Sequence, residues 1–405
     1  MGAMLTDPTP AEAALLALIG EPDAPARAQA AQAFRAAGLP HRRVEAWKWT
    51  DLRRTLKTSL ERAARPAERL TAGAPILDNA DALGWTNGVR NQTQLSAALS
   101  LSLEPSPALD DRVMERPAAA LAVALAEERV SLSVEAGAEA RLTLRHAAHG
   151  PGVSAEHLAL HLAAGARLTL VEVYDGASAG AFANTLVELT LEPGARLDRV
   201  VVLDDADGVR AATTLARVAQ DAAFTQTVIT GGAQLSRFET VVDVNGEGAL
   251  VSLDGAYALG SGRHADLTTH VRHAAPHAQT QELFKGVVAK GGRAVFQGKI
   301  LVDSIAQKTD ARMGHHALLL EEGAEVDAKP ELEIYADDVA CAHGNTAGAL
   351  DEDALFYLRQ RGVPAAEARA LLTRAFLAEA LERIADEPLR EAMTDRLIQA
   401  LEALV

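Results

Sequence analysis

The sequence predicts a mainly β fold, a coil of short stacked strands flanked by helical regions at both ends. Three observations carry this. From about Leu121 onward apolar and polar residues alternate with period two, as in Arg141-Leu142-Thr143-Leu144-Arg145, Leu158 to Leu162 and Val187 to Leu191. A glycine turn recurs between such runs, and the first three, Gly137, Gly165 and Gly194, lie 28 and 29 residues apart. Outside that stretch the apolar spacing becomes helical, with capping residues at the right positions.

Each element follows from these signals. Thr9-Pro10-Ala11-Glu12 has the spacing of a capping box and opens a helix that ends at Gly20. A second helix starts near Asp23 and stops at Gly38-Leu39-Pro40. His41 to Leu52 gathers two of the three Trp among charges. Segment 61–110 is rich in Ala, Pro and Gly and reads as linker with short pieces of structure. The recurring turns at Ala136-Gly137, Ala164-Gly165, Pro193-Gly194, Gly232-Ala233, Gly248-Ala249 and Gly323-Ala324 then read as corners of a stacked coil, because Gly supplies the backbone angles a corner needs. A β-sandwich is the rival. It favours Asn-Gly hairpins and a more aromatic core than the 4% aromatic residues present.

After His343 helices return. Asp351-Glu352-Asp353 starts one, with Arg359 and Arg361 at its end before Gly362. A longer helix from about Pro364 carries Leu371, Leu372, Phe376, Leu377, Leu381 and Ile384. A last one follows Asp386-Glu387-Pro388. Such stripes ordinarily pack on their own domain, with docking to a partner as the other reading. The expected units are 1–110, helical region and linker; 111–348, β core; and 349–405, helical domain.

Composition narrows the function. At 405 residues the chain can bury a large core, built from aliphatic residues and Ala. A net charge of −16 argues against nucleic acid as a partner, since phosphate affinity needs Lys and Arg. One cysteine, Cys341, excludes internal disulfides and fits a reducing compartment. It also cannot supply the four thiolates of an ordinary iron–sulfur cluster. No apolar run reaches transmembrane length and no signal peptide is read at the start, so a cytoplasmic protein with no membrane contact is expected. Met1 to Met4 is given no weight. Gly298-Lys299 lacks the rest of a phosphate loop, and neither a nucleophile elbow nor a dinucleotide fingerprint occurs.

Two candidate chemistries remain. His264, His270, His273 and His277, with His315 and His316 further on, could bind Zn or Fe and make the chain a His-dependent metalloenzyme. On a strand, however, the pairs His264/His270 and His273/His277 differ in phase. A β-helical carbohydrate-processing protein is disfavoured by the few aromatics. The second chemistry lies in Lys329 to Gly344. Leu332 and Ile334 alternate with acids, Asp337-Asp338 turns the chain, and Cys341 and His343 project from one strand face, roughly 7 Å apart. A thiol beside an imidazole is a soft ligand pair suited to iron or sulfur transfer. It is equally readable as a buried Cys and a hydrogen-bonded His.

The block Lys329 to Gly344, with Thr346, Leu350-Asp351, Leu355 to Arg359 and Arg361-Gly362, closely resembles the end of the core in the SufB/SufD family, scaffold subunits of the SUF iron–sulfur cluster assembly system. The resemblance extends to Arg43 to Lys48, His273 to His277, Leu283 to Val287, Phe296 to Ile300 and Ala306 to Ala311. A SufB-type chain is expected to carry further cysteines in the core; none is present, so the likeness is to the SufD-type branch. Met313-Gly314-His315-His316 departs from the family pattern, where Asn- or Ser-rich residues are expected.

The resemblance implies a right-handed parallel β-helix and a non-catalytic scaffold subunit. It implies SufB as partner through the β-helix ends and the ATPase SufC docked on the C-terminal helices. His343, with Cys341 as its neighbour, would lie at the SufB interface, where a nascent cluster shared with a SufB cysteine forms. No tightly bound cofactor is expected in the isolated chain. A flavin in the complex and a homodimer of the isolated chain are left open.

Overall fold

The computed structural model describes residues 7–65, 76–103, 109–205 and 207–404. The N-terminal helices are α1 (Pro10–Ile19) and α2 (Pro25–Ala37), then α3 (Leu52–Thr55), α4 (Asp111–Met114) and α5 (Pro117–Leu125). The capping box at Thr9 is present: its hydroxyl accepts from the Glu12 N–H at 3.3 Å, and Glu12 Oε2 accepts from the Thr9 N–H at 2.7 Å.

Nineteen strands are described, and successive ones in the core alternate between two sheets. One sheet holds β1 (Asp81–Thr86), β2 (Val89–Gln94), β5 (Glu139–Ala147), β7 (Arg167–Asp175), β9 (Arg196–Asp204), β11 (Ala223–Thr230), β13 (Leu250–Leu259), β15 (Gln279–Val288), β17 (Asp310–Leu319) and β19 (Ala340–Gly348). The other holds β3 (Leu99–Ser102), β4 (Arg129–Val134), β6 (Gly152–Leu162), β8 (Ala181–Leu191), β10 (Val209–Val218), β12 (Leu235–Val244), β14 (His264–His273), β16 (Arg293–Val302) and β18 (Glu325–Ile334). From β4 to β19 each strand pairs in parallel with the strand one turn away: Arg129 faces His157, Arg196 faces Ala223 and Asp310 faces Ala340. This is a parallel β-helix with two strands per turn.

The glycine repeat belongs to one corner of that coil. Gly137, Gly165 and Gly194 have φ of +67°, +68° and +71°. The N–H of each bonds to the carbonyl of the next corner, at 3.0, 3.0 and 2.9 Å. The left-handed backbone conformation persists further along the same corner at Asp221, Gly248, His277 and Lys308, although only one of these is Gly. Gly232 and Gly323 sit on the opposite corner, so the six sequence turns merge two rows into one. This explains the looser later spacings.

The short pieces of structure expected in segment 61–110 are strands where it is described. β1 and β2 form an antiparallel hairpin joined to β5, and β3 runs antiparallel to β4. Together they close the first turn. Residues 66–75 and 104–108 of that segment, and Met1 to Met4, lie outside the described residues.

Alternation sends every second side chain into the lumen, where Leu, Val and Phe fill most levels. The outward faces differ. Helices α1, α2 and α5 cover Val153, Phe182 and Leu215 on the even-numbered sheet. The C-terminal helices α6 (Glu352–Gln360), α7 (Ala365–Ala378) and α8 (Glu387–Glu402) follow the core, and the odd-numbered sheet is covered from this end. Its residues Val171, Val200, Ile229 and Val287 pack with Leu377, Leu381, Ile384, Met393 and Leu397. Most of the predicted apolar stripe is therefore spent on the chain's own core.

Candidate functional site

The two ends of the coil are built differently, and the Cys/His pair lies at the C-terminal one. β18 and β19 terminate their sheets, and no further strand pairs with them among the described residues. Asp337 and Asp338 make the turn between them. In register, Cys341 faces Ala311, His343 faces Met313 and Asn345 faces His315. Ala311, Met313 and His315 are buried lumen residues, so the three β19 residues form the last, partly open level of the lumen. Opposite them on β18, Val326 and Leu332 are only partly buried.

Cys341 is half-buried and packs on the core, and burial, helped by the Asp310 carboxylate, pushes its thiol pKa up. The free chain therefore holds Cys341 as a thiol, a weak ligand until a metal or a cation displaces the proton. His343 is exposed and makes no side-chain hydrogen bond among the described residues. The pair thus shares the lumen-facing side of the terminal strand and offers two soft donors from this chain.

Behind the pair the site is supported. His315 is buried, with its ring lying flat on Phe296 at 4.7 Å and an interplanar angle of 2°. Its Nδ1 meets Asn345 Oδ1 at 2.7 Å and its Nε2 meets the Tyr257 hydroxyl at 2.9 Å. Burial lowers the His315 pKa to about 4, so the ring is neutral. On the outer face, His316 Nδ1 meets Thr346 Oγ1 at 2.8 Å. The departure from the family pattern is thus a pair of histidines gripping the terminal strand from both faces. Alternation from His343 reaches Asn345 directly; the partner of Asn345 could come only from strand register.

The remaining histidines do not assemble. His264 and His270 point outward and His273 inward, while His277 occupies a corner with φ of +58°. Burial lowers His264 and His273 to about 4. His273 Nε2 is 2.8 Å from the Thr280 hydroxyl. Among the described residues no three His, Cys, Asp or Glu side chains lie together as a metal site. The phase difference seen in the sequence separates these histidines in space.

Two distant sequence blocks meet beside this end. Glu45 Oε1 is 2.5 Å from Lys329 Nζ, Ala46 O accepts from Gln297 Nε2 at 3.1 Å, and Trp47 lies under the Arg237 guanidinium at 4.0 Å. The Arg43 to Lys48 block therefore braces β16 and β18. A chain of polar contacts also runs from the C-terminal helices toward β19. Glu379 pairs with the nearly buried Lys285 on β15, and Lys285, His316 and Thr346 are neighbours in register.

Fold and site define a parallel β-helix protein with a soft donor pair on the last strand of its C-terminal end. A family model described as the SufBD core domain of SUF system FeS cluster assembly matches residues 143–376. The chain belongs to this SufBD family. It is 30% identical over 375 residues to an iron–sulfur cluster assembly SufBD family protein of Mycobacterium bovis, covering 90% of each. It is 40% identical over 185 residues to the iron–sulfur cluster assembly protein SufD of Escherichia coli, covering 45% of this chain but only 44% of that protein. A SufBD family protein of Synechocystis is 34% identical over 178 residues, 44% of this chain and 39% of that one. No helix among the described residues is long and apolar enough to cross a membrane.

Proposed function

We propose that this chain is a non-catalytic scaffold subunit for iron–sulfur cluster assembly in the cytoplasm. Its open β-helix end pairs with SufB, and a nascent cluster is the shared cargo, held in part by His343 and Cys341. One observation carries the reading: the only thiol and an unengaged imidazole share the inward face of the last strand, where the sheets end unpaired. Unpaired strand edges with exposed Ile334 and Tyr335 (41% and 65% accessible) are what a second β-helix would cover. Two donors from this chain leave the remaining ligands to the partner.

The docking site for SufC is assigned to the outer side of the C-terminal helices. Phe356, Tyr357 and Leu371 stay exposed there while Leu377, Leu381, Ile384, Met393 and Leu397 are buried. ATP-driven movement would reach β19 through Glu379, Lys285 and His316. Reconstitution of a cluster on the complex with SufB and SufC tests the site. His343→Ala is expected to cut cluster formation severely, and unchanged assembly removes His343 from the mechanism. Co-purification tests docking: Phe356→Asp with Tyr357→Asp should release the ATPase, and intact binding would move the contact elsewhere.

A further inference from the structure

We propose that Asn345 is a third member of the site, a hydrogen-bond donor to a sulfide of the nascent cluster, set in orientation by His315. This rests on the scaffold reading above and adds a residue to it. Cys341, His343 and Asn345 alternate along β19 and so share one face, with successive side chains roughly 7 Å apart. An exposed asparagine amide is ordinarily free to rotate. Here it is not, and the reason lies inside the lumen.

The His315 ring is buried and stacked flat on Phe296, which fixes its plane. Its Nε2 faces the Tyr257 hydroxyl at 2.9 Å and its Nδ1 faces Asn345 Oδ1 at 2.7 Å. An amide oxygen can only accept, so Nδ1 carries the proton, and Nε2 accepts from the tyrosine O–H. In this tautomer a flipped Asn345 amide would set N–H against N–H, and the flip would need the proton moved to Nε2 and donated to the Tyr257 hydroxyl. With Nδ1–H donating to it, the oxygen faces inward, and the Nδ2 group, which has no partner among the described residues, is turned away from His315 on the strand face that carries Cys341 and His343. Hydrogen bonds to cluster sulfurs are one of the means by which a protein tunes reduction potential. An oriented amide N–H beside a thiol and an imidazole supplies such a bond to an anionic sulfide. His315 is accordingly a positioning residue.

The experiment uses the complete complex with SufB and SufC, loaded with iron and sulfide, carrying wild type, Asn345→Ala, Asn345→Asp or His343→Ala. The midpoint potential of the assembled cluster is read by spectroscopic titration. A donor to sulfide favours the more negative reduced state, so Asn345→Ala should lower the potential while still forming a cluster. Asn345→Asp, which keeps the acceptor for His315 and adds charge, should lower it further and reduce cluster yield several-fold. If both variants keep the wild-type potential and yield while His343→Ala does not, the assignment of Asn345 is overturned and the scaffold reading stands. If His343→Ala also behaves as wild type, or no cluster forms on wild type, that reading fails and takes this one with it. Hydrogen exchange of β19 in the unloaded chain separates a mere clamp: loss of strand protection in Asn345→Ala with an unshifted potential also overturns the proposal.

Discussion

The first and last turns of the coil solve the same problem in opposite ways. A β-helix must end somewhere, and each end exposes strand edges and an apolar lumen. At the N-terminal end, β1 stacks in parallel on β5, and the antiparallel strands β2 and β3 reverse the chain over the first turn. Trp85 plugs the lumen, stacked on His146 at 5.0 Å, which is stacked on Tyr174 at 4.5 Å. Around them a charge network is almost wholly internal. Glu172 receives the Arg199 guanidinium at 2.6 and 2.8 Å, and Arg199 also donates to Thr214 at 2.9 Å and Gln226 at 2.7 Å. At the C-terminal end no strand among the described residues reverses the chain, and the last level is Cys341, His343 and Asn345 over a floor of Met313 and His315. Closure is stability; the open end gives up burial and keeps donors available.

The comparison breaks most visibly on deletion of buried bulk. Trp85→Ala should cost about 3–5 kcal/mol in chemical denaturation, because the plug is 3% exposed and the cavity cannot collapse. Leu332→Ala at the open end should cost roughly 1 kcal/mol, since that side chain is only partly removed from water. Equal losses would mean that the two ends are packed alike.

A smaller effect is the pH response of the closed end. Burial alone would lower His146, but Glu156 and Glu172 override it and raise its pKa to about 9. The folded state then binds a proton that the unfolded state releases above pH 6.5. The stabilisation from this group is complete below pH 6.5 and is lost as the pH rises through about 9. His146→Gln should flatten the stability–pH curve in that window. An unchanged slope would place the titration elsewhere. Glu172 runs the other way: burial would raise it, but Arg199 and His146 lower it to about 2, so its contribution disappears as acid is added below pH 4.5.

Smaller still, Gly194→Ala forces a Cβ into a left-handed corner and should cost about 1–2 kcal/mol. The smallest change is expected at the site itself. His343→Ala in the isolated chain should alter the unfolding free energy by less than about 0.5 kcal/mol in chemical denaturation, as an exposed residue without side-chain bonds among the described residues contributes little. A larger loss would give His343 a structural role in the free chain.

Much of the molecule was legible from pattern. The capping box at Thr9, the strands around Arg141, Leu158 and Val187, the Asp337-Asp338 turn and the helices after Asp351 and Pro364 all stand where local periodicity and capping put them. The hairpin at residues 81–94 was missed, because its strands are short and pair with a segment some sixty residues later: Asp81 faces Leu142. The charged lumen was equally hidden. In β9 Arg199 occupies an alternation position like any apolar neighbour, and only the register brings it to Glu172 and Gln226.

The sequence by itself determined the mainly β coil, its flanking helices, the lone thiol and the face shared by Cys341 and His343. Those properties depend on neighbours within a few residues, where strand period and cap chemistry act. Only the tertiary structure decided that this face closes the last level of an open lumen, that His315 and His316 hold β19 from both sides, and that the remaining histidines stay apart. Each of these depends on which residues stack one turn of about thirty residues away, and the degenerate repeat, with its two merged corners, does not state that register.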